Sequence, residues 1–146
     1  GVRGCEMLDQ LGERSWCSTA AAFVARAYYA LDRLDEADSW ADRSAALGAT
    51  DDVSTQLLAR LVRAKVFARR GAAEDAARTI GEAMAMADGI ENTQYQAIAY
   101  ADLSEVFRLT GRPDESRAAL VQALECARRK GIRPMAQRLE AMLAAE

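Results

Sequence analysis

Three stretches of this chain carry nearly the same phrase. "ALDRLDEADSWA", "ARRGAAEDAARTI" and "LTGRPDESRAAL" each set a turn residue ahead of acidic residues and an apolar helix. Aligned on Asp32, Gly71 and Gly111, they recur after 39 and then 40 residues. Five residues past each turn stands Ala37, Ala76 or Ser116, and nine past it Ala41, Ile80 or Leu120. Seven residues before it stands Ala25, Ala64 or Ser104, and four before it Tyr28, Phe67 or Phe107. Self-similarity at such a period is the mark of a repeat architecture. Small residues let two antiparallel helices approach, and the aromatic fills the gap beside them. Each repeat is therefore expected to be a helical hairpin, with Phe67 and Phe107 in the hairpin cores.

A second set of breaks separates the hairpins. Gly12, Gly48, Gly89 and Gly131 each follow a helical run, as left-handed C-cap glycines do. Asp51, Asp52, Ser54, Asn92 and Thr93 stand where N-caps belong, and Pro113 suits a first-turn position. The reading is all-α. It starts with a helix over Val2 to Leu11, continues with hairpins of Arg14–Leu31 with Leu34–Leu47, Asp52–Arg70 with Ala72–Asp88, and Asn92–Thr110 with Pro113–Lys130, and ends with a helix over Pro134 to Ala145. In domain terms this is a single helical-repeat domain over 1–146, with a partial repeat at 1–12, repeats at 14–48, 52–88 and 92–131, and a C-terminal helix at 134–145. The first helix reads as the second half of a preceding hairpin, so the chain is expected to be a fragment of a longer protein.

Composition agrees with helices. Of 146 residues, 51% are apolar, alanine is abundant, and proline occurs at Pro113 and Pro134 alone. That length suffices for one domain with a real core. The net charge of −3 supplies no global attraction to polyanions, so neither nucleic acid nor a membrane surface is an expected partner. No apolar run approaches the length of a membrane span. Cys5, Cys17 and Cys126 are odd in number and form no C-x-x-C pair, which predicts reduced thiols and a cytoplasmic protein.

The chemistry the sequence lacks narrows function further. With no histidine, it has no Ser-His or Cys-His nucleophile and no His-based metal site. No phosphate-binding or dinucleotide-binding glycine motif occurs. Carboxylates gather at helix beginnings, as in "DRLDEAD", "AAEDA" and "PDES", where they offset the helix dipole. Met84, Met86, Trp16 and Trp40 read as packing residues. No catalytic residue, cofactor or metal is expected, and the chain is read as not an enzyme.

The order of a small residue at the eighth position, an aromatic at the eleventh, glycine at the fifteenth and a small residue at the twentieth resembles the tetratricopeptide repeat. Asp32 in place of glycine, Arg63 in place of an apolar residue, and a period above 34 depart from it. A HEAT-like stack has a similar period but not the aromatic and small positions. Phrases such as "DDVSTQLLARLVRAKVFARRG" and "LSEVFRLTGRPDES" look like the C-terminal arrays of large bacterial signalling ATPases, including those with a nucleotide cyclase domain and regulators of the maltose-activator type. Basic charge that is almost all arginine fits a high-GC bacterial genome.

The resemblance implies a right-handed superhelix whose first helices line a concave groove. On this register the groove includes Arg26, Tyr29, Leu58, Leu61, Lys65, Arg69, Ile98, Glu105 and Arg108. Arg60, Arg63 and Arg70 are expected to pair with Asp35, Glu36, Asp38 and Asp42 of the preceding helix. Arg26, Lys65, Arg69 and Arg108 are expected to be exposed and to receive a partner. The expected function is a noncatalytic scaffold that binds an acidic and apolar peptide, a partner helix, or another domain of its parent. The alternatives are a small-ligand-sensing array that regulates an attached ATPase or cyclase, and a structural oligomerisation segment.

Overall fold

Alanine-rich segments free of β-branched runs favour helix, and the computed structural model is predominantly helical over the residues it describes. It describes residues 14–47 and 53–145. Among these residues there are seven helices and no strand. They are α1 (Arg14–Ala30), α2 (Leu34–Leu47), α3 (Val53–Arg69), α4 (Ala73–Asp88), α5 (Thr93–Leu109), α6 (Pro113–Lys130) and α7 (Arg133–Ala145). The helix expected over Val2 to Leu11, the caps at Gly12, Gly48, Asp51 and Asp52, and the Trp16 side chain lie outside what is described. None of the seven helices is long and apolar enough to cross a membrane.

The three repeated phrases adopt one turn. Asp32, Gly71 and Gly111 all have left-handed backbone, with φ of 62°, 80° and 78°. In each, the next N–H reaches back to the carbonyl of the aromatic residue. Arg33 bonds Tyr28 at 2.9 Å, Ala72 bonds Phe67 at 2.9 Å, and Arg112 bonds Phe107 at 2.8 Å. This is the six-to-one closure that satisfies an orphan carbonyl at a helix end. Aspartate tolerates the left-handed region better than most residues, so the missing glycine leaves the turn intact. Gly131 ends α6 in the same way, with φ of 80°. Gly89 does not: its φ of −85° is right-handed, and its N–H tightens the last turn of α4 onto Met86. Asn92 caps α5 through the Gln94 N–H at 2.9 Å, whereas Ser54 lies inside α3.

α1 packs on α2, α3 on α4, and α5 on α6, while α1, α3 and α5 pack on one another in series. α7 covers the far side of α6. The small positions sit where the helices cross: Ala25, Ala37, Ala64 and Ala76 are fully buried, and Ser104 and Ser116 nearly so. The two serines satisfy each other. Their hydroxyls lie 2.9 Å apart, and Ser116 also donates to the Ser104 carbonyl at 2.8 Å. Apolar clusters overlap along the stack, one centred on α1–α3, a second on α3–α5 and a third on α5–α7. Met84, Met86 and Trp40 pack against these clusters.

Two expectations are corrected. Phe67 and Phe107 are half-buried rather than enclosed. Phe67 rests on the α3–α5 cluster, and Phe107 lies under the Arg112 guanidinium, 4.4 Å from the ring centre. Arg33 covers Tyr28 at 4.8 Å in the same relative position, so a cation just past the turn completes what the aromatic leaves open. The three cysteines are not all reduced thiols: Cys17 is disulfide-bonded, while Cys126 is free and buried. Burial pushes the Cys126 thiol pKa up.

Candidate functional site

Arg26, Lys65 and Glu105 each stand six residues before their turn, on α1, α3 and α5. Because these helices pack in series, the three equivalent positions meet. With residues of α6 and α7 they line a cavity of about 360 Å³. Tyr29 and Arg108, three residues before the first and third turns, line it as well.

The floor of this cavity is a carboxylate that the groove register passes over. Asp102 on α5 is 5% exposed. It accepts two hydrogen bonds from the Arg26 guanidinium, at 2.7 and 3.2 Å, and its Oδ1 lies 3.0 Å from Lys65 Nζ. Lys65 also approaches Glu105 at 3.7 Å, and Arg108 reaches Glu105 at 3.5 Å. Burial alone would push the Asp102 carboxyl pKa up, but the charges and hydrogen bonds of Arg26 and Lys65 outweigh it and hold the pKa below the ordinary value. Arg26 is the reciprocal case: burial lowers its pKa, and Asp102 more than restores it. With both oxygens engaged and its pKa depressed, Asp102 is a poor proton acceptor and a good structural anion.

These contacts overturn the expected exposure. Lys65 is 6% exposed, and Arg26 is largely covered. The two cations serve Asp102 and do not wait for a partner. Arg69 is exposed as expected, but it ion-pairs with Asp32 in the first turn, its guanidinium lies 5.4 Å from the Tyr29 ring centre, and it is not among the residues that line the cavity. Of the three that line the cavity, Arg108 is the one mostly in water, at 58% side-chain exposure.

The basic helix α3 is thereby explained. It is the central helix, touched by α1, α2, α4 and α5, so its cations and Arg70 just past its end find acids on the elements around it. Arg63 pairs with Asp38 and Asp42, and Arg70 with Asp35 and Asp38, as the sequence implied. Arg60 instead meets Glu82 of α4 at 3.7 Å, and Glu36 is taken by its neighbour Arg33. Leu58 and Leu61 are fully buried in the core, and Ile98 is wedged between two apolar clusters. These three belong to the packing between helices and do not line the cavity.

Tyr29 is the unusual member. Its ring lies under Lys65 Nζ, 4.4 Å from the centroid. Its Oη is buried and has no hydrogen-bond partner. Arg69 and Glu105 are near enough to act on the phenol electrostatically, but neither is aligned to bond it. Burial and the Glu105 charge push its pKa up.

The rest of the lining comes from outside the first helices. Leu120 of α6 and Arg138, Leu139 and Met142 of α7 close one side. Arg138 is exposed and has no acidic partner among the described residues. Compared with known proteins, the chain matches no family model, no curated protein and no solved structure.

Proposed function

We propose that this chain is a noncatalytic helical-repeat module of the tetratricopeptide type. On this reading its first-helix face holds a peptide, a partner helix or a neighbouring domain of a bacterial signalling or transcription-regulating parent. The observation that carries it is the meeting of three sequence-equivalent positions, Arg26, Lys65 and Glu105, around one cavity. A register that brings equivalent side chains to one face makes a continuous recognition surface from successive repeats. The partner contacts fall to the exposed groups that line the cavity, Arg108, Arg138 and Met142. The common turn at Asp32, Gly71 and Gly111 supports the repeat assignment.

The small-ligand-sensing alternative is favoured by the size of the cavity, which falls in the range of about 300 to 1,000 Å³ that suits small molecules. The cytoplasmic expectation rested on reduced thiols, and the Cys17 disulfide removes that support.

The partner reading is tested by photo-crosslinking. A crosslinking residue is placed at position 108, on the cavity, or at position 78, an exposed arginine of α4. Position 108 should capture one defined acidic and apolar segment of the parent or partner, and position 78 should not. Capture from position 78 alone would move the binding surface to the second helices.

A further inference from the structure

We propose that the cavity between α1, α5, α6 and α7 binds an amphipathic organic anion, with an oxyanion head held by Arg108, Arg138 and the Tyr29 hydroxyl and an apolar body against α7. The charge balance of the lining points to the head. Arg26, Lys65, Arg108 and Arg138 face the cavity against two carboxylates, Asp102 and Glu105, in a chain whose net charge is −3. Both carboxylates are already engaged: Asp102 by Arg26 and Lys65, and Glu105 by Lys65 and Arg108. Arg108 shares its one acid, and Arg138 has none among the described residues. The surplus positive charge therefore sits on two exposed guanidinium groups. A guanidinium is the side chain best shaped to grip a carboxylate or phosphate by two parallel hydrogen bonds.

The Tyr29 hydroxyl supplies an independent indication. Buried polar groups almost always have a partner, and Tyr29 Oη has none although the residue is 6% exposed and lines this cavity. An oxyanion would accept a hydrogen bond from it. A cation would gain nothing from the guanidiniums and would meet Lys65 over the tyrosine ring.

The body follows from the opposite wall. Ala30, Leu120, Leu139 and Met142 line the same space, and Met142 is 43% exposed, a large apolar side chain with no cover on its outer face. The head is fixed by its donors, so a carboxylate and a phosphate monoester satisfy it equally.

Titration calorimetry with octanoate and octyl phosphate tests the site, with octanol and octylammonium as controls. Both anions should bind and both controls should bind at least tenfold more weakly. Arg108→Ala and Arg138→Ala, both at exposed positions, should each weaken octyl phosphate about tenfold or more without altering the melting temperature. Tyr29→Phe should weaken it several-fold while leaving the fold at least as stable. Octanol binding as tightly as the anions, or anion affinity unchanged in the two arginine variants, would overturn the proposal, as would the absence of any heat at millimolar concentrations. No partner segment enters this titration, so its outcome is separate from that of the crosslinking experiment.

Discussion

The Arg26 guanidinium of α1 donates two hydrogen bonds to the Asp102 carboxylate of α5, across 76 residues of sequence. Lys65 of α3 closes the same carboxylate from the side. One buried anion thus ties together the three first helices. Their interfaces are otherwise rich in alanine, and small smooth surfaces allow more than one sliding register. An ion triad satisfied in a single geometry selects one register, although its net contribution to stability is modest against an apolar replacement.

Removing the anion alone should be costly. Asp102→Asn leaves Arg26 and Lys65 buried without a counter-charge, and the expected loss is about 3 to 5 kcal/mol in urea unfolding at neutral pH. Because the folded-state pKa of Asp102 is depressed, its contribution is complete above the ordinary aspartate value of 3.8 and fades as pH falls through the lower folded value. The variant should therefore lose less stability than the parent between pH 5 and about pH 2. Equal stability of variant and parent at pH 7 would show that the triad does not hold the stack.

Two cations that the sequence groups together should separate experimentally. Lys65→Ala should cost about 3 kcal/mol because its Nζ is buried on Asp102. Arg108→Ala, largely in water, should change stability by no more than about 0.5 kcal/mol. Thermal melts of the two single variants settle this, and equal effects would contradict the burial difference.

Phe67→Ala and Phe107→Ala should each cost about 1 to 3 kcal/mol, below the 3 to 5 typical of an enclosed phenylalanine, since both rings are half-buried. Arg112→Ala, which uncovers the Phe107 ring, should lower the melting point slightly, by the worth of an exposed cation–π contact. Denaturant midpoints measure both, and a loss above about 4 kcal/mol for Phe107→Ala would place that ring in the core after all.

Glycine substitutions should change sign with position. A Cβ at Gly111 meets no atom within 4 Å, but φ of 78° strains any L-residue, so Gly111→Ala should destabilise by about 1 to 2 kcal/mol. Gly81 lies inside α4 with equally open surroundings and ordinary helical backbone, so Gly81→Ala should stabilise by about 0.5 to 1 kcal/mol. A shared sign in calorimetric melts would mean that backbone conformation does not set the difference.

Local signals in the sequence determined the helices and their ends. Turn residues at Asp32, Gly71 and Gly111, the proline that opens α6 and the cap at Asn92 act within a few residues of themselves, so their effects are readable in order along the chain. The same locality placed Arg26, Tyr29, Lys65, Glu105 and Arg108 on equivalent faces, and all five line one cavity. Whether those charges are free was decided by tertiary structure. Asp102 follows Ala99 and precedes Val106 on a buried helix face, a spacing that signals a buried acid in need of a partner, but nothing local names Arg26 or Lys65 as that partner. Arg138 reaches the cavity because α7 folds back over α6 and contributes to its wall, a placement fixed by apolar packing at Leu139 and not by any feature of the arginine. Exposure of a charge is a property of its surroundings across the stack, and those surroundings come from residues tens of positions away.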